Sequence, residues 1–170
     1  REIHERHGRA VAIQAALSKS HHVQDAASRA AESFGGLDIY IDGLMTSDVR
    51  EFRDPQSLED LDRMMDVNLR SPLMMTHAVL KFLEGRKRGR VIYLQHDVVR
   101  LGLEKNGILA ATRGGLPDFT RVLAREVGGD LGPVVPAVDG LPDGVGAEVQ
   151  LARVGRRKED RRGAQHPVVG

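Results

Sequence analysis

The stretches SLEDLDRMMDVNLRSPLMMTHAVLKFLEG (57–85) and GRVIYLQHD (89–97) decide the fold of this chain. Apolar residues recur every three or four positions through the first stretch, which is the spacing of one buried helix face. Ser57 followed by Asp60 resembles a capping box and predicts that this helix begins there. The apolar run Val91–Leu94 is typical of a buried parallel strand. A long helix leading directly into a strand predicts a parallel α/β sheet.

The same alternation continues on both sides of this unit. Strands are predicted at Ala10–Leu17 and Leu37–Ile41 before it, and at Gly132–Val138 after it. Helices are predicted over Val23–Phe34, where a pair of glycines follows, and over Leu109–Val127. Strands that alternate with helices of this length predict right-handed crossovers and a parallel sheet covered by helices on both faces.

Two prolines interrupt the predicted helices. Pro72 has no N–H to donate, so we expect a kink near Asn68–Ser71. An Asn one turn before a proline can bond the carbonyl that the proline leaves free, which would give Asn68 a structural role. Pro117 fits the last helix if Gly114-Gly115 already breaks that helix.

Composition bounds the class of protein. The chain has 170 residues, no Cys, and 25 basic against 24 acidic residues. This balance provides no general attraction to nucleic acid or anionic lipid, and no apolar run approaches the ~20 residues that span a bilayer. We therefore predict no nucleic-acid partner and no membrane association. The absence of Cys excludes disulfides and thiolate metal sites and, with no visible signal peptide, predicts a cytoplasmic location.

The C-terminal part of the chain differs in composition from the rest. Beyond Gly140 it is rich in Gly, Pro and Arg without periodicity. We predict an incomplete α/β domain over residues 1–140 and a loosely structured or disordered tail over residues 141–170. The basic cluster Arg156-Arg157-Lys158 with Arg161-Arg162 is typical of a solvated tail.

Two local clusters suggest ligands. Gly140, Gly144 and Gly146 follow the predicted strand Gly132–Val138, and the alternatives are a displaced phosphate-binding turn or a loop with chance spacing. His21-His22, with His4 and His7 upstream, have no carboxylate at ligand spacing. Because adjacent histidines diverge on any regular element, we predict a solvated turn and no metal site there.

With GLDIYIDG (36–43) and GILAATRGGLPDFTRVLAREVG (107–128) added, these stretches closely resemble the short-chain dehydrogenase/reductase family from Ala10 to about Gly140. The resemblance implies a partial Rossmann-like, doubly wound parallel sheet of three to four strands. It also implies that the family's first strand, glycine-rich loop, first helix and second strand are lacking, with Arg1 inside the second helix.

The resemblance has a consequence for the first predicted strand. In the family two strands separate it from the next one, and their absence leaves a gap of roughly 10 Å. We expect Ala10–Leu17 either to slide and pair directly with Leu37–Ile41 or to be poorly ordered.

The resemblance implies hydride and proton transfer by a Ser, a Tyr and a Lys four residues after the Tyr. The matching positions are His96, Leu109 and Arg113. Leucine cannot exchange a proton, and Arg is not interchangeable with Lys. The remaining catalytic candidates are His96, which could donate to a carbonyl oxygen, Arg113, and Asn68, whose family counterpart holds a water in the proton relay. The alternatives are a polar loop histidine, a structural or anion-binding arginine, and the structural role for Asn68 given above.

The implied cofactor is NAD or NADP. The positions that match its contacts are Ala16 with Leu17, where the family usually has an Asp that contacts adenine, Asp42 with Gly43 beside the adenosine half, and Arg113 at the ribose. Each of these contacts is altered, so we predict that neither cofactor binds tightly.

Three hypotheses for function follow. The chain is an oxidoreductase of this family with impaired or absent catalysis, or a silent relative kept as an interaction module, or the product of a degenerate gene. For the module, the resemblance implies a homo-oligomer that pairs through helices 57–85 and 107–127.

Overall fold

The computed structural model describes residues 8–84, 89–128 and 134–139. At its centre is a parallel sheet in which three described strands follow one another in the order β1 (Ile39–Asp42), β2 (Arg90–His96) and β3 (Val134–Asp139). The predicted fold class, a partial Rossmann-like α/β sheet, is confirmed. Each of these strands lies within one or two residues of its predicted bounds.

Helices connect the strands. In chain order the described residues form α1 (Ser20–Phe34), α2 (Leu61–Met65), a π-helical turn (Asp66–Arg70), α3 (Ser71–Leu83), α4 (Asp97–Leu101), α5 (Gly107–Arg113) and α6 (Leu116–Val127). Within the described ranges, no helix combines the length and apolarity needed to cross a membrane.

The first helix ends as its glycine pair predicts. Gly35 adopts the left-handed conformation with φ of 75°, and its N–H bonds the carbonyl of Ala31. At this end of the helix Phe34 is exposed, while Ala31 is buried. The guanidinium of Arg9 lies 5.3 Å from the centre of the Phe34 ring, so a cation covers the ring instead of the core.

The predicted helix over residues 57–85 begins later than its capping box suggests. Ser57 Oγ donates to the carbonyl of Phe52, so the hydroxyl serves the preceding turn and does not cap the helix. Helix α2 starts at Leu61 instead. At the position of the kink predicted before Pro72, the structure has a π-helical turn over Asp66–Arg70, a feature that commonly bends a helix.

The last predicted helix is divided in two. Helix α5 ends at Arg113, and α6 begins at Leu116 after Gly114-Gly115. Pro117 therefore lies in the first turn of α6, where a missing N–H costs nothing. Pro117 is tolerated for the reason that the sequence suggested, because the helix is interrupted at Gly114-Gly115.

One face of the sheet carries the main core. Its buried residues come from α1, α3, β2 and α6: Val23, Ala27, Ala78, Val79, Leu83, Val91, Tyr93, Leu116, Leu123 and Ala124. The order β1-β2-β3 advances in one direction, so right-handed crossovers place the connecting helices on the same face.

The opposite face of β1 is not covered by the described helices. Ile39 and Ile41 alternate with the inward residues of β1 and are 52% and 57% exposed. Ile41 aligns with Ile92 of β2, which is half-buried on the same face. Among the described residues, the predicted cover on both faces is therefore not complete over β1.

The segment Ala10–Leu17 is not a strand. It is irregular by hydrogen bonding and pairs with none of the described strands, so the predicted strand is wrong. Of the two outcomes expected for this segment, the direct pairing with β1 is not formed. Contacts with α1 hold it instead: Arg9 Nη2 donates to the carbonyl of Ser33, and Leu17 packs against the main core. The apolar composition of this segment predicted a buried strand, but no described strand pairs with its backbone.

The predicted tail over residues 141–170, its basic cluster, and the candidate turn at Gly140, Gly144 and Gly146 lie outside the described residues. The division of the chain at residue 140 stays a prediction.

Candidate functional site

A buried guanidinium joins the carboxyl ends of β1 and β2 to the helices. Arg113, the last residue of α5, is 0% exposed. Its Nη2 donates to Asp42 Oδ2 and to the carbonyl of Leu94, each at 2.7 Å. Its Nη1 donates to the carbonyl of Leu44 at 3.1 Å and to the carbonyl of Asn68 at 3.2 Å. Both terminal nitrogens are thus fully engaged by the protein itself.

The charged groups of this cluster pair with each other inside the protein. Asp42 is 5% exposed and forms an ion pair with Arg113. Burial raises the pKa of Asp42, and the guanidinium beside it opposes that rise. Only Nε of the guanidinium lacks a hydrogen-bond partner. The positive charge is therefore balanced by one carboxylate and three carbonyl dipoles.

The side chain of Asn68 holds the loop that follows β1. It is fully buried; its Oδ1 accepts from the N–H of Thr46 at 2.8 Å, and its Nδ2 donates to the carbonyl of Thr46 at 2.8 Å. Nδ2 also donates to Thr112 Oγ1 at 2.9 Å. The amide therefore fastens this loop to α5.

The structural role predicted for Asn68 is corrected in one respect. Pro72 leaves the carbonyl four residues earlier without an N–H, and that carbonyl belongs to Asn68 itself. Because a side-chain amide does not reach its own residue's carbonyl here, Arg113 Nη1 supplies the missing donor. The guanidinium of Arg113 thus satisfies the carbonyl that Pro72 leaves without a donor.

Leu109 lies in an apolar cluster. It is 1% exposed and packs with Met64 and Ile108, with Met45 and Leu61 at the edge of the cluster. The position offers no group that could bind or exchange a proton.

His96 ends β2 and caps the next helix. Its Nδ1 accepts from the N–H of Val98 at 3.3 Å, which satisfies one of the free donors of α4. The neighbouring Asp97 is buried and pairs with Arg100 at 3.6 Å, not with His96. Nδ1 of the imidazole therefore caps the N-terminus of α4.

The two tyrosines lie in the core. Tyr93 is buried, shares a hydrogen bond with Thr76, and packs edge-to-face with Tyr40 and Phe119. Burial raises the pKa of Tyr93 and of Tyr40 far above the usual range, and the charge on Asp42 adds to the rise. Both phenols are therefore neutral at physiological pH and unsuited to act as bases.

The remaining predicted site residues are not part of this cluster. The N–H of Ala16 donates to His22 Nδ1 at 3.2 Å, and Leu17 packs against the main core. Gly43 follows Asp42, and a Cβ there would come 3.3 Å from Leu94. No three of the described His, Asp and Glu side chains are placed to hold a metal ion; His4 and His7 lie outside the described residues.

Sequence reasoning missed two features of the site. One is the pair Asp42–Arg113, which joins residues 71 positions apart. The other is the bonding of Asn68 to Thr46 and Thr112. A signal for the first was present: of two positions that match family contacts, Asp42 had gained a negative charge and Arg113 had kept a positive one.

The residues present do not fit a nicotinamide dinucleotide. At the position that the resemblance assigns to the ribose, Arg113 donates to four protein acceptors, and Asp42 places a carboxylate at the position that the resemblance assigns to the adenosine half. Within residues 8–84, 89–128 and 134–139, no glycine-rich turn joins a strand to a helix N-terminus. No step that uses such a cofactor can be derived from these side chains.

Comparisons with known proteins agree on the fold. A family model described as short chain dehydrogenase matches residues 1–131. The chain is 27% identical to a 3-oxoacyl-[acyl-carrier-protein] reductase of Synechocystis over 89% of this chain and 65% of that protein. It is 32% identical to a 2,3-dihydroxy-2,3-dihydro-p-cumate dehydrogenase of Pseudomonas putida over 71% of this chain and 47% of that protein.

Solved structures show the same likeness. A dehydrogenase/reductase from Sinorhizobium meliloti matches with a TM-score of 0.68 at 27% identity, over 76% of this chain and 50% of that one. A short chain dehydrogenase from Burkholderia cenocepacia, solved in complex with NADP, matches with a TM-score of 0.67 at 30% identity, over 76% and 52%. The chain thus spans about half to two thirds of the length of these proteins.

Proposed function

This chain belongs to the short chain dehydrogenase family, and we propose that it is a catalytically silent relative of the family's NAD(P)-dependent oxidoreductases. The proposal rests on the side chains found at the two positions where proton transfer is expected. Leu109 is buried among apolar side chains, and Arg113 is held by the protein's own acceptors. The first has no proton to exchange, and the second has no free donor at its terminal nitrogens.

The size of the expected defect follows from the chemistry. Removal of a general acid or base typically lowers the rate ~10²–10⁴-fold. No described side chain replaces it, because Tyr40 and Tyr93 remain neutral phenols in the core. His96 accepts a main-chain hydrogen bond at Nδ1. Substrate turnover should therefore fall by at least this factor relative to active members of the family.

Titration with NADH and NADPH, followed by cofactor fluorescence, tests the proposal directly. We expect no saturable signal with either cofactor, and no oxidation or reduction in the presence of a panel of ketones and alcohols. The short chain dehydrogenase of Burkholderia cenocepacia, which was solved with NADP, serves as the positive control. Saturable binding of either cofactor by this chain would contradict the weak-binding part of the proposal, and turnover would contradict it entirely.

Apolar surface on two of the helices favours a second candidate function, a homo-oligomerisation module that pairs through residues 57–85 and 107–127. Val122 on α6 is 54% exposed and Met65 on α2 is 37% exposed. We propose that a second copy of the chain covers this surface. Sedimentation should show a dimer or larger species that Val122→Lys dissociates. A monomeric wild-type chain would contradict this candidate.

A further inference from the structure

The segment Ala10–Leu17 has the exposure pattern of a strand but lacks a strand's partners. Along it Ile13, Ala15 and Leu17 are half-buried while Ala12, Gln14 and Ala16 are exposed. Side chains that alternate in this way belong to an extended chain with one covered face. Within the described part of the chain, the backbone of residues 10–15 forms no backbone–backbone hydrogen bond. Among the residues that the structure describes, the segment thus presents free N–H and C=O groups over residues 10–15, while both backbone groups of Ala16 are engaged.

Nothing in the sequence of this segment prevents pairing with another strand. AVAIQAAL contains no charge, no Pro and no Gly. Proteins usually protect an exposed strand edge with charged residues, with Pro or with a bulge. Val11 is 55% exposed, so the segment offers apolar surface as well as free backbone groups.

We infer that this segment pairs antiparallel with the same segment of a second copy of the chain, about a two-fold axis. An isologous contact needs only one surface, and this segment is complementary to itself because an unpaired backbone edge can bond an identical edge. Residues opposite one another face the same side of such a ribbon. A register that pairs even positions with even positions keeps both α1 helices on one face and leaves Gln14 on the other.

The length of the segment favours a second copy over β1 as the partner. Strand β1 has four residues, so its free edge is shorter than the run 10–15, whose backbone groups have no partner in the described part of the chain. The segment is also fixed beside α1, through the bonds of Arg9 to Ser33 and of Ala16 to His22. A second copy of Ala10–Leu17 matches it residue for residue.

Cross-linking tests the pairing without disturbing it. The chain has no Cys, so Gln14→Cys introduces a single thiol at an exposed position. Opposite or diagonal residues of paired strands lie roughly 5–8 Å apart at Cβ, within reach of a short thiol-specific cross-linker. We expect a covalent dimer from Gln14→Cys and little from the matched control Glu32→Cys, on the exposed side of α1. Equal cross-linking of the two variants would count against the pairing.

Proline variants identify the edge that pairs. Consecutive residues of a strand direct their N–H groups to opposite edges, so Ala12→Pro blocks one edge and Ala15→Pro the other. Light scattering should show a dimer whose dissociation constant rises about tenfold or more in one variant and little in the other. Circular dichroism confirms that both variants remain folded. A monomer at every concentration, a dimer unaffected by either proline, or a dimer that Val122→Lys alone abolishes would overturn the inference.

Discussion

Arg113→Ala is expected to lower the free energy of unfolding by about 3–5 kcal/mol, which is the usual cost of removing one partner of a buried ion pair. The carboxylate of Asp42 would be left in the core without a counter-charge. The carbonyls of Leu44, Asn68 and Leu94 would lose their bonds to the guanidinium at the same time. Urea denaturation followed by circular dichroism measures the loss.

A matched control is available on the surface of the next helix. Arg121 of α6 also pairs with an aspartate, Asp118, but both side chains are exposed. Solvent screens such a pair, so Arg121→Ala should cost less than about 1 kcal/mol. Similar losses for the two variants would show that burial of the Arg113 cluster does not stabilise the fold.

Arg113→Lys tests the positive charge at this position separately from the planar shape of the guanidinium. A lysine keeps the positive charge beside Asp42 but has no planar fork with which to reach four acceptors. The variant should therefore fall between the wild type and Arg113→Ala. The same substitution restores the residue type that the family resemblance implies at this position, and Leu109 would still provide no proton. Absence of turnover in Arg113→Lys is thus expected even if the fold survives.

The sheet and its helices could be predicted from the sequence because they depend on local patterns. Val91–Leu94 is an apolar run short enough for a strand, and the glycine after Phe34 ends its helix in the left-handed conformation, which needs no tertiary contact. Pro72 identified the position of the kink for the same reason. These features depend on the residue itself and its immediate neighbours.

Predictions failed where the outcome depended on a partner far away in the sequence. The composition of Ala10–Leu17 indicated a buried strand, but a strand also needs a neighbouring edge, and none of the described strands supplies one. Ser57 had the right spacing for a cap, yet the carbonyl of Phe52 competed successfully for its hydroxyl. In both cases the local pattern was compatible with more than one set of partners.

The candidate site was the least predictable part. Its residues were named in advance, since Asp42, Asn68 and Arg113 all match family positions. Their contacts were not, because the sequence gives no measure of how a guanidinium is shared among a carboxylate and three carbonyls. These positions were expected to contact ligands. Their side chains instead connect β1, β2 and the π-helical turn through hydrogen bonds.

The side-chain amide of Asn68 should contribute nearly as much to the free energy of unfolding as the guanidinium of Arg113. Asn68→Ala removes three hydrogen bonds from a fully buried site and leaves the N–H and C=O of Thr46 without that partner. Buried groups left unsatisfied cost about 1–3 kcal/mol each, and partial access of water reduces the sum to about 3 kcal/mol. Urea denaturation measures this loss against Asn106→Ala, which removes only an exposed hydrogen bond to Glu104 and should be nearly neutral.

Hydrogen exchange adds a readout that a general loss of stability would not give. In the wild type, the Thr46 amide donates to a buried oxygen and should exchange slowly. In Asn68→Ala, this amide should exchange faster by a larger factor than the amides of β2, because the loop after β1 opens locally while the sheet stays paired. If Thr46 and β2 lose protection by the same factor, the amide of Asn68 stabilises the whole fold and does not specifically hold this loop.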